Sequence, residues 1–112
     1  FDKDSKDRQY CAIGSAKAHI GHLEGAAGIA GVIKTVLQMN HKTLVPSIHS
    51  EQLNPKIAFG KTPFYVQHGA SEWKRPVVEI NGKETECKRI AGISAFGASG
   101  TNAHAIIEEF DN

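Results

Sequence analysis

A chain of 112 residues has room for one domain and not two. Its formal net charge of +1, from 13 Lys and Arg against 12 Asp and Glu, gives no reason to expect nucleic acid or a membrane surface as partner. No run of about 18 apolar residues occurs, so no membrane-spanning helix is expected.

The chain opens on Phe1 and a polar run, Asp2 to Arg8. A globular domain rarely begins this way, so a piece of a longer polypeptide is expected, with residues 1–9 as a polar lead-in and no signal peptide. Tyr10-Cys11-Ala12-Ile13 reads as a short buried strand that stops at Gly14. Cys11 and Cys87 are far apart and form neither a disulfide framework nor a CxxC metal pair. They read as two reduced thiols in a cytoplasmic protein, and no metal site is expected.

A loop carrying Lys17, His19 and His22 follows, and from about Leu23 to Met39 the pattern is helical. Ala26, Ile29, Ala30, Ile33 and Leu37 make one apolar stripe, widened by Val32, Val36 and Met39. Lys34, Gln38 and His41 mark a narrow wet face. Gly25, Gly28 and Gly31 each cost about 0.5–1 kcal/mol relative to Ala in a helix interior. Close approach of another backbone is the compensating reason expected, and the helix reads as buried on most sides. His22 stands at the expected helix start, where the positive dipole end disfavours imidazolium.

Asn40-His41-Lys42 ends the helix, and Thr43 to Ile48 is an extended segment broken by Pro46. Residues 49–63 read as loop, Phe64-Tyr65-Val66 as a strand, and Ser71-Glu72-Trp73 as one turn closed by Pro76. Asn81-Gly82 between Val77–Ile80 and Lys83–Thr85 signals an exposed hairpin. Arg89 to Phe96 and Asn102 to Glu108 read as an antiparallel strand pair about the turn Gly97–Thr101. One helix, one hairpin and several short strands cannot cover both faces of a sheet, which again suggests that further chain packs on this one.

Lys17-Ala18-His19-Ile20-Gly21-His22-Leu23-Glu24 resembles the K-S-N-I-G-H-L-E motif of β-ketoacyl synthases, the condensing domains of polyketide and fatty acid synthases. Gly25 to Lys34, Leu44 to His49 and Leu53 to Ile57 continue the likeness. Ile93 to His104 looks like the family's terminal F-G-x-x-G-[TS]-N-A-H signature. The phrases Glu51–Pro55 and Thr62–Val66 resemble the modular polyketide synthase branch whose acyltransferase acts in trans. On this likeness residues 10–109 are the C-terminal segment of a ketosynthase domain and 110–112 a tail. The fold class implied is α/β, the C-terminal part of a thiolase-like fold, incomplete alone.

The resemblance implies a decarboxylative Claisen condensation of an acyl chain with a malonyl-type extender on an acyl carrier protein. The family uses a cysteine in a T-A-C-S-S-type elbow and a first histidine in H-G-T-G-T, and neither motif occurs here. This chain would supply the second histidine, His22, with Lys17 behind it and Glu24 a candidate charge partner for Lys17. Phe96, Gly97, Ala98, Gly100 and Asn102 match the loop that lines the substrate pocket, with the Ala98 N–H at the family's oxyanion position. The family's Asn is His19 here, and the gating Phe of fatty acid synthase relatives is Ala98. No cofactor is implied in this chain, since phosphopantetheine rides on the carrier protein. Implied partners are the N-terminal portion of the ketosynthase, the acyl carrier protein with its acyl and malonyl thioesters, and a second copy of the complete domain. A Cys11–His22 dyad lacks an elbow and is disfavoured. Two other readings stay open: a docking remnant that catalyses nothing, and a non-elongating ketosynthase that transfers acyl groups without condensation.

Overall fold

The structure is a computed structural model that describes residues 7–110. Strand β1, Cys11–Ile13, pairs in parallel with β3, Phe64–Val66. A single helical turn, α1 (Lys17–Ile20), and a 3-10 turn, Glu24–Ala26, lead into the long helix α2, Ala27–His41. Helix α2 therefore starts four residues later than the sequence pattern suggested. Part of the expected loop is helical instead, because Gly21 at φ +77° breaks the run between the two. Lys42 closes α2 in the left-handed conformation, its N–H returning to the carbonyls of Gln38 and Met39.

Strand β2 is only Thr43–Leu44, since Pro46 ends the extended run; it pairs antiparallel with β4, Ser71–Glu72. The turn expected at Ser71–Trp73 is thus a strand, with the Trp73 N–H bonded to the Lys42 carbonyl at 2.8 Å. Strands β5 (Val77–Ile80) and β6 (Lys83–Glu86) form the exposed hairpin, turning at Asn81 (φ +52°) and Gly82 (φ +80°). Positive φ at both central residues is what a tight two-residue hairpin demands. Strands β7 (Ile90–Phe96) and β8 (Asn102–Glu108) pair antiparallel over their full length.

Packing centres on α2 against β7. A Cβ at Gly28 would sit 3.3 Å from Ala95 Cβ, and one at Gly31 3.4 Å from Ile93 Cγ2. Two of the three helix-region glycines are thus explained by close approach of a strand. Gly25 has nothing within 4 Å and lies in the 3-10 turn.

The apolar stripe of α2 is covered only in part: Met39 is buried and Ala30 and Val32 are half-buried, but the rest is not. Ile29 and Ile33 are 58% and 53% exposed, and Val36 and Leu37 are exposed with them. Lys34 and Gln38, read as the wet face, are half-buried, Lys34 against the loop before α1 and Gln38 against Val45 just after β2. The only buried residue on the helix is Met39. Cys11, read as buried, is exposed as a residue, although partial burial of its thiol pushes its pKa up. The apolar stripe is real, but among the described residues nothing covers Ile29, Ile33, Val36 and Leu37. Among the described residues no helix is long and apolar enough to cross a membrane.

Candidate functional site

The residues between β1 and α2 form a braced loop. Ser15 Oγ accepts the Lys17 N–H at 3.1 Å, using one of the unpaired donors at the start of α1. The Gly21 N–H closes the single turn onto the Lys17 carbonyl at 2.9 Å. His19 Nε2 donates to the Pro46 carbonyl at 3.2 Å, which ties α1 to the segment after β2. From α2, Lys34 Nζ reaches back and donates to the Ser15 carbonyl at 3.2 Å.

His22 follows the turn and is exposed. Its Nδ1 accepts the Glu24 N–H at 2.9 Å. A ring nitrogen that accepts a bond carries no proton, so the neutral ring holds its proton on Nε2. His22 therefore presents one oriented N–H donor at the end of the molecule where α2 begins. Among the described residues the Lys17 ammonium pairs with neither Glu24 nor His22.

The turn after β7 is built on its glycines. The Gly97 N–H bonds the Thr101 carbonyl at 2.7 Å, and the Gly100 N–H bonds the Gly97 carbonyl at 3.0 Å. A Cβ at Gly97 would lie 2.8 Å from the Thr101 oxygen, and Gly100 holds φ +90°, so both positions need glycine. The Ala98 N–H, between them, donates to no acceptor among the described residues. Phe96 and Asn102 are direct partners across the ladder, and Phe96 is 73% exposed.

The direction of packing relates the two parts. Ala95 meets Gly28 while Ile93 meets Gly31, so β7 runs antiparallel to α2. Following β7 forward leads toward the N-terminal end of α2, the end that bears His22. The turn holding Gly97, Ala98 and Gly100 thus leaves β7 at the same end of the helix.

Cys11 stands apart from this arrangement: its Sγ faces the Ala12 carbonyl at 3.9 Å. Two surface cavities lie elsewhere. One, of about 480 Å³, is lined by Lys42, Glu72, Lys74, Arg75, Glu86 and Arg89; the other, of about 430 Å³, borders the C-terminal half of α2. Among the described residues no cluster of His, Cys, Asp and Glu could hold a metal ion.

Three features escaped sequence reading. The first is the Lys34 tether, which the helical pattern assigned to solvent. The second is a pair on β7–β8: Ser94 Oγ and His104 Nδ1 are 2.8 Å apart, and the His104 ring lies over Gly92. The third is the clamp at Glu109. Its carboxylate accepts Arg75 Nε at 2.7 Å, the Arg89 N–H at 2.9 Å and an Arg89 guanidinium N–H at 2.8 Å. Arg89, only 6% exposed, also donates to the Trp73 carbonyl at 2.6 Å. Spacing along the sequence carries no signal for contacts between residues this far apart.

Comparison with known proteins gives a consistent set of likenesses. A family model described as "Beta-ketoacyl synthase, C-terminal domain" matches residues 1–51. Polyketide synthase PksL of Bacillus subtilis (strain 168) is 57% identical over 98% of this chain, and polyketide synthase PksM of the same strain 56% identical over 98%. The chain spans only 2% and 3% of the lengths of these two relatives. Among solved structures, the ketosynthase from module 6 of the bacillaene synthase of Bacillus subtilis 168 superposes with a TM-score of 0.87 at 44% identity, covering 100% of this chain and 20% of that one.

Proposed function

We propose, from the premise that this chain belongs to the β-ketoacyl synthase family as a C-terminal ketosynthase segment of a modular polyketide synthase, that it supplies the enolate-stabilising half of a decarboxylating condensation site. The family is one of condensing transferases, and the chain is part of a larger thiolase-like domain. The branch whose acyltransferase acts in trans fits the Bacillus polyketide synthases among its relatives.

The observation that carries the reading is the His22 tautomer. With Nδ1 engaged by the Glu24 N–H, the neutral ring offers Nε2–H as a donor. In the proposed reaction a malonyl thioester, carried on the phosphopantetheine arm of an acyl carrier protein, places its carbonyl oxygen at that N–H. The bond to the carboxylate carbon breaks and CO2 leaves. The electron pair stays behind as an enolate whose oxygen His22 stabilises without giving up its proton. The enolate carbon then attacks an acyl thioester on a cysteine, forms the new carbon–carbon bond and expels the cysteine thiolate. That cysteine and the first histidine belong to motifs outside these 112 residues.

Lys17 is assigned to the electrostatic field behind His22. The unbonded Ala98 N–H is assigned to the oxygen of the acyl-cysteine, with Phe96, Gly97, Gly100 and Asn102 lining the acyl chain. The N-terminal portion of the ketosynthase covers the exposed face of α2. The working unit is a cytoplasmic homodimer of complete domains, within which residues 10–109 are the segment described here.

The test is His22→Ala in the complete ketosynthase domain. Release of CO2 from a malonyl thioester is expected to fall about 100–1000-fold, the usual cost of losing one oxyanion donor. Loading of the cysteine from an acyl thioester is expected to persist. Equal loss of both steps, or loss of neither, would remove the assignment.

A further inference from the structure

Helix α1 is one turn long, and a single turn does not hold itself in water. Whatever fixes it therefore fixes the residues it carries, Lys17 at its start and His22 two residues past its end. Two side-chain hydrogen bonds do this, one made by the turn's own His19 and one by Lys34 of α2. His19 Nε2 binds the Pro46 carbonyl at 3.2 Å, and Lys34 Nζ binds the Ser15 carbonyl at 3.2 Å. They act on opposite ends of the turn.

Lys34 is the more telling of the two. It stands on α2, half-buried, where the helical pattern calls for a solvent-facing residue. Its ammonium passes 3.8 Å from where a Cβ on Gly14 would be, so it enters the corner at which the chain leaves β1. Burial lowers its pKa, as expected of a charge drawn away from water toward a carbonyl. A hydrogen bond from a charged donor is stronger than one between neutral groups. The same helix that carries Gly28 and Gly31 against β7 thus also holds the loop bearing His22, so one rigid element references both parts of the site.

We propose that Lys34 is a positioning residue: through the Ser15 carbonyl it sets the entry into α1 and with it the placing of Lys17 and His22. The proposal rests on the reading of His22 as the enolate-stabilising donor. It does not make Lys34 a group that touches substrate.

The test uses the complete ketosynthase domain with Lys34→Met, Lys34→Gln and Lys34→Arg, beside His22→Ala. Misplacing a catalytic donor by about 1 Å costs up to about 100-fold, so Lys34→Met is expected to lower kcat for malonyl decarboxylation about 10- to 100-fold. The KM for the malonyl thioester and the rate of cysteine acylation should stay within about twofold, as for loss of a transition-state interaction. Lys34→Gln, whose side chain is too short to reach, should show the same split if the Met variant folds poorly. Lys34→Arg, which keeps a charged donor of similar reach, should recover most of the lost rate. Decarboxylation left intact by Lys34→Met and Lys34→Gln, or lost in parallel with acylation, or not recovered by Lys34→Arg, overturns the proposal. If His22→Ala itself leaves decarboxylation intact, the reading of His22 is what fails.

Discussion

Glu109 holds two arginines with one carboxylate. The Arg89 backbone N–H, with the side chains of Arg75 and Arg89, holds its carboxyl down to about 2. A depressed carboxylate pKa adds stability above the unfolded-state value near 4.5, and that contribution is lost as pH falls toward 2. The Glu109 carboxyl resonance in the complete domain is therefore expected to titrate near 2. In Glu109→Gln, acid unfolding between pH 4.5 and 2 should become less steep than in the native protein. A second residue-scale prediction concerns Gly92. A Cβ there would lie 2.9 Å from His104 Cε1 and 3.0 Å from His104 Nε2. Gly92→Ala must displace the His104 ring from Ser94, so a loss of about 0.5–1.5 kcal/mol, the worth of one hydrogen bond, is expected. His104→Ala in the same chain should recover most of that cost, so a double-mutant cycle by chemical denaturation should give a strong coupling.

At the scale of elements, α2 is the reference for everything around it. Its small face lets β7 approach, and its Lys34 side reaches the loop before α1. The approach at Gly28 is made between two elements of this chain. Gly28→Leu must push β7 away, and a destabilisation of about 1–3 kcal/mol is expected, read as a lower denaturant midpoint of the complete domain. Because β7 runs into the Gly97–Thr101 turn, the same substitution should also slow acylation. The β5–β6 hairpin contributes nothing to this frame. Its strands bond only to each other, and its side chains lie mainly in solvent.

At the scale of the whole molecule, the described residues have almost no dry core. Met39, at 7% exposure, is the buried apolar residue of α2, while Ile29, Ile33, Ile90, Phe96 and Ile106 are all more than half exposed. Ile29 and Ile33 lie on α2, while Ile90, Phe96 and Ile106 lie on the face of β7–β8 turned away from it, and exposed apolar surface of this extent belongs at an interface. The 112-residue chain by itself is expected to bind a hydrophobic dye strongly and to melt over a broad range. The complete domain should bind little dye and melt cooperatively. A sharp unfolding transition of the short chain alone would contradict this.

Sequence alone was enough for the local grammar. Asn81-Gly82 fixes the hairpin turn because both positions tolerate positive φ, and Gly97 and Gly100 fix the turn after β7 because a Cβ would strike Thr101 at the first and φ is +90° at the second. The alternation along Ile90–Phe96 and Asn102–Glu108 sets one pairing register, since a slip of one residue would turn every side chain to the wrong face. The ordered motifs around His22 and Asn102 also carried the family likeness. Tertiary structure decided what periodicity cannot encode. A 3.6-residue stripe says that one side of α2 is apolar but not whether this chain covers it, and among the described residues Ile29, Ile33 and Leu37 stay exposed. Propensity cannot say that Lys34 turns inward, because the Ser15 carbonyl that draws it in is 19 residues away. Nor could it fix the His22 tautomer, which rests on a backbone N–H that points at Nδ1 only once the 3-10 turn has formed.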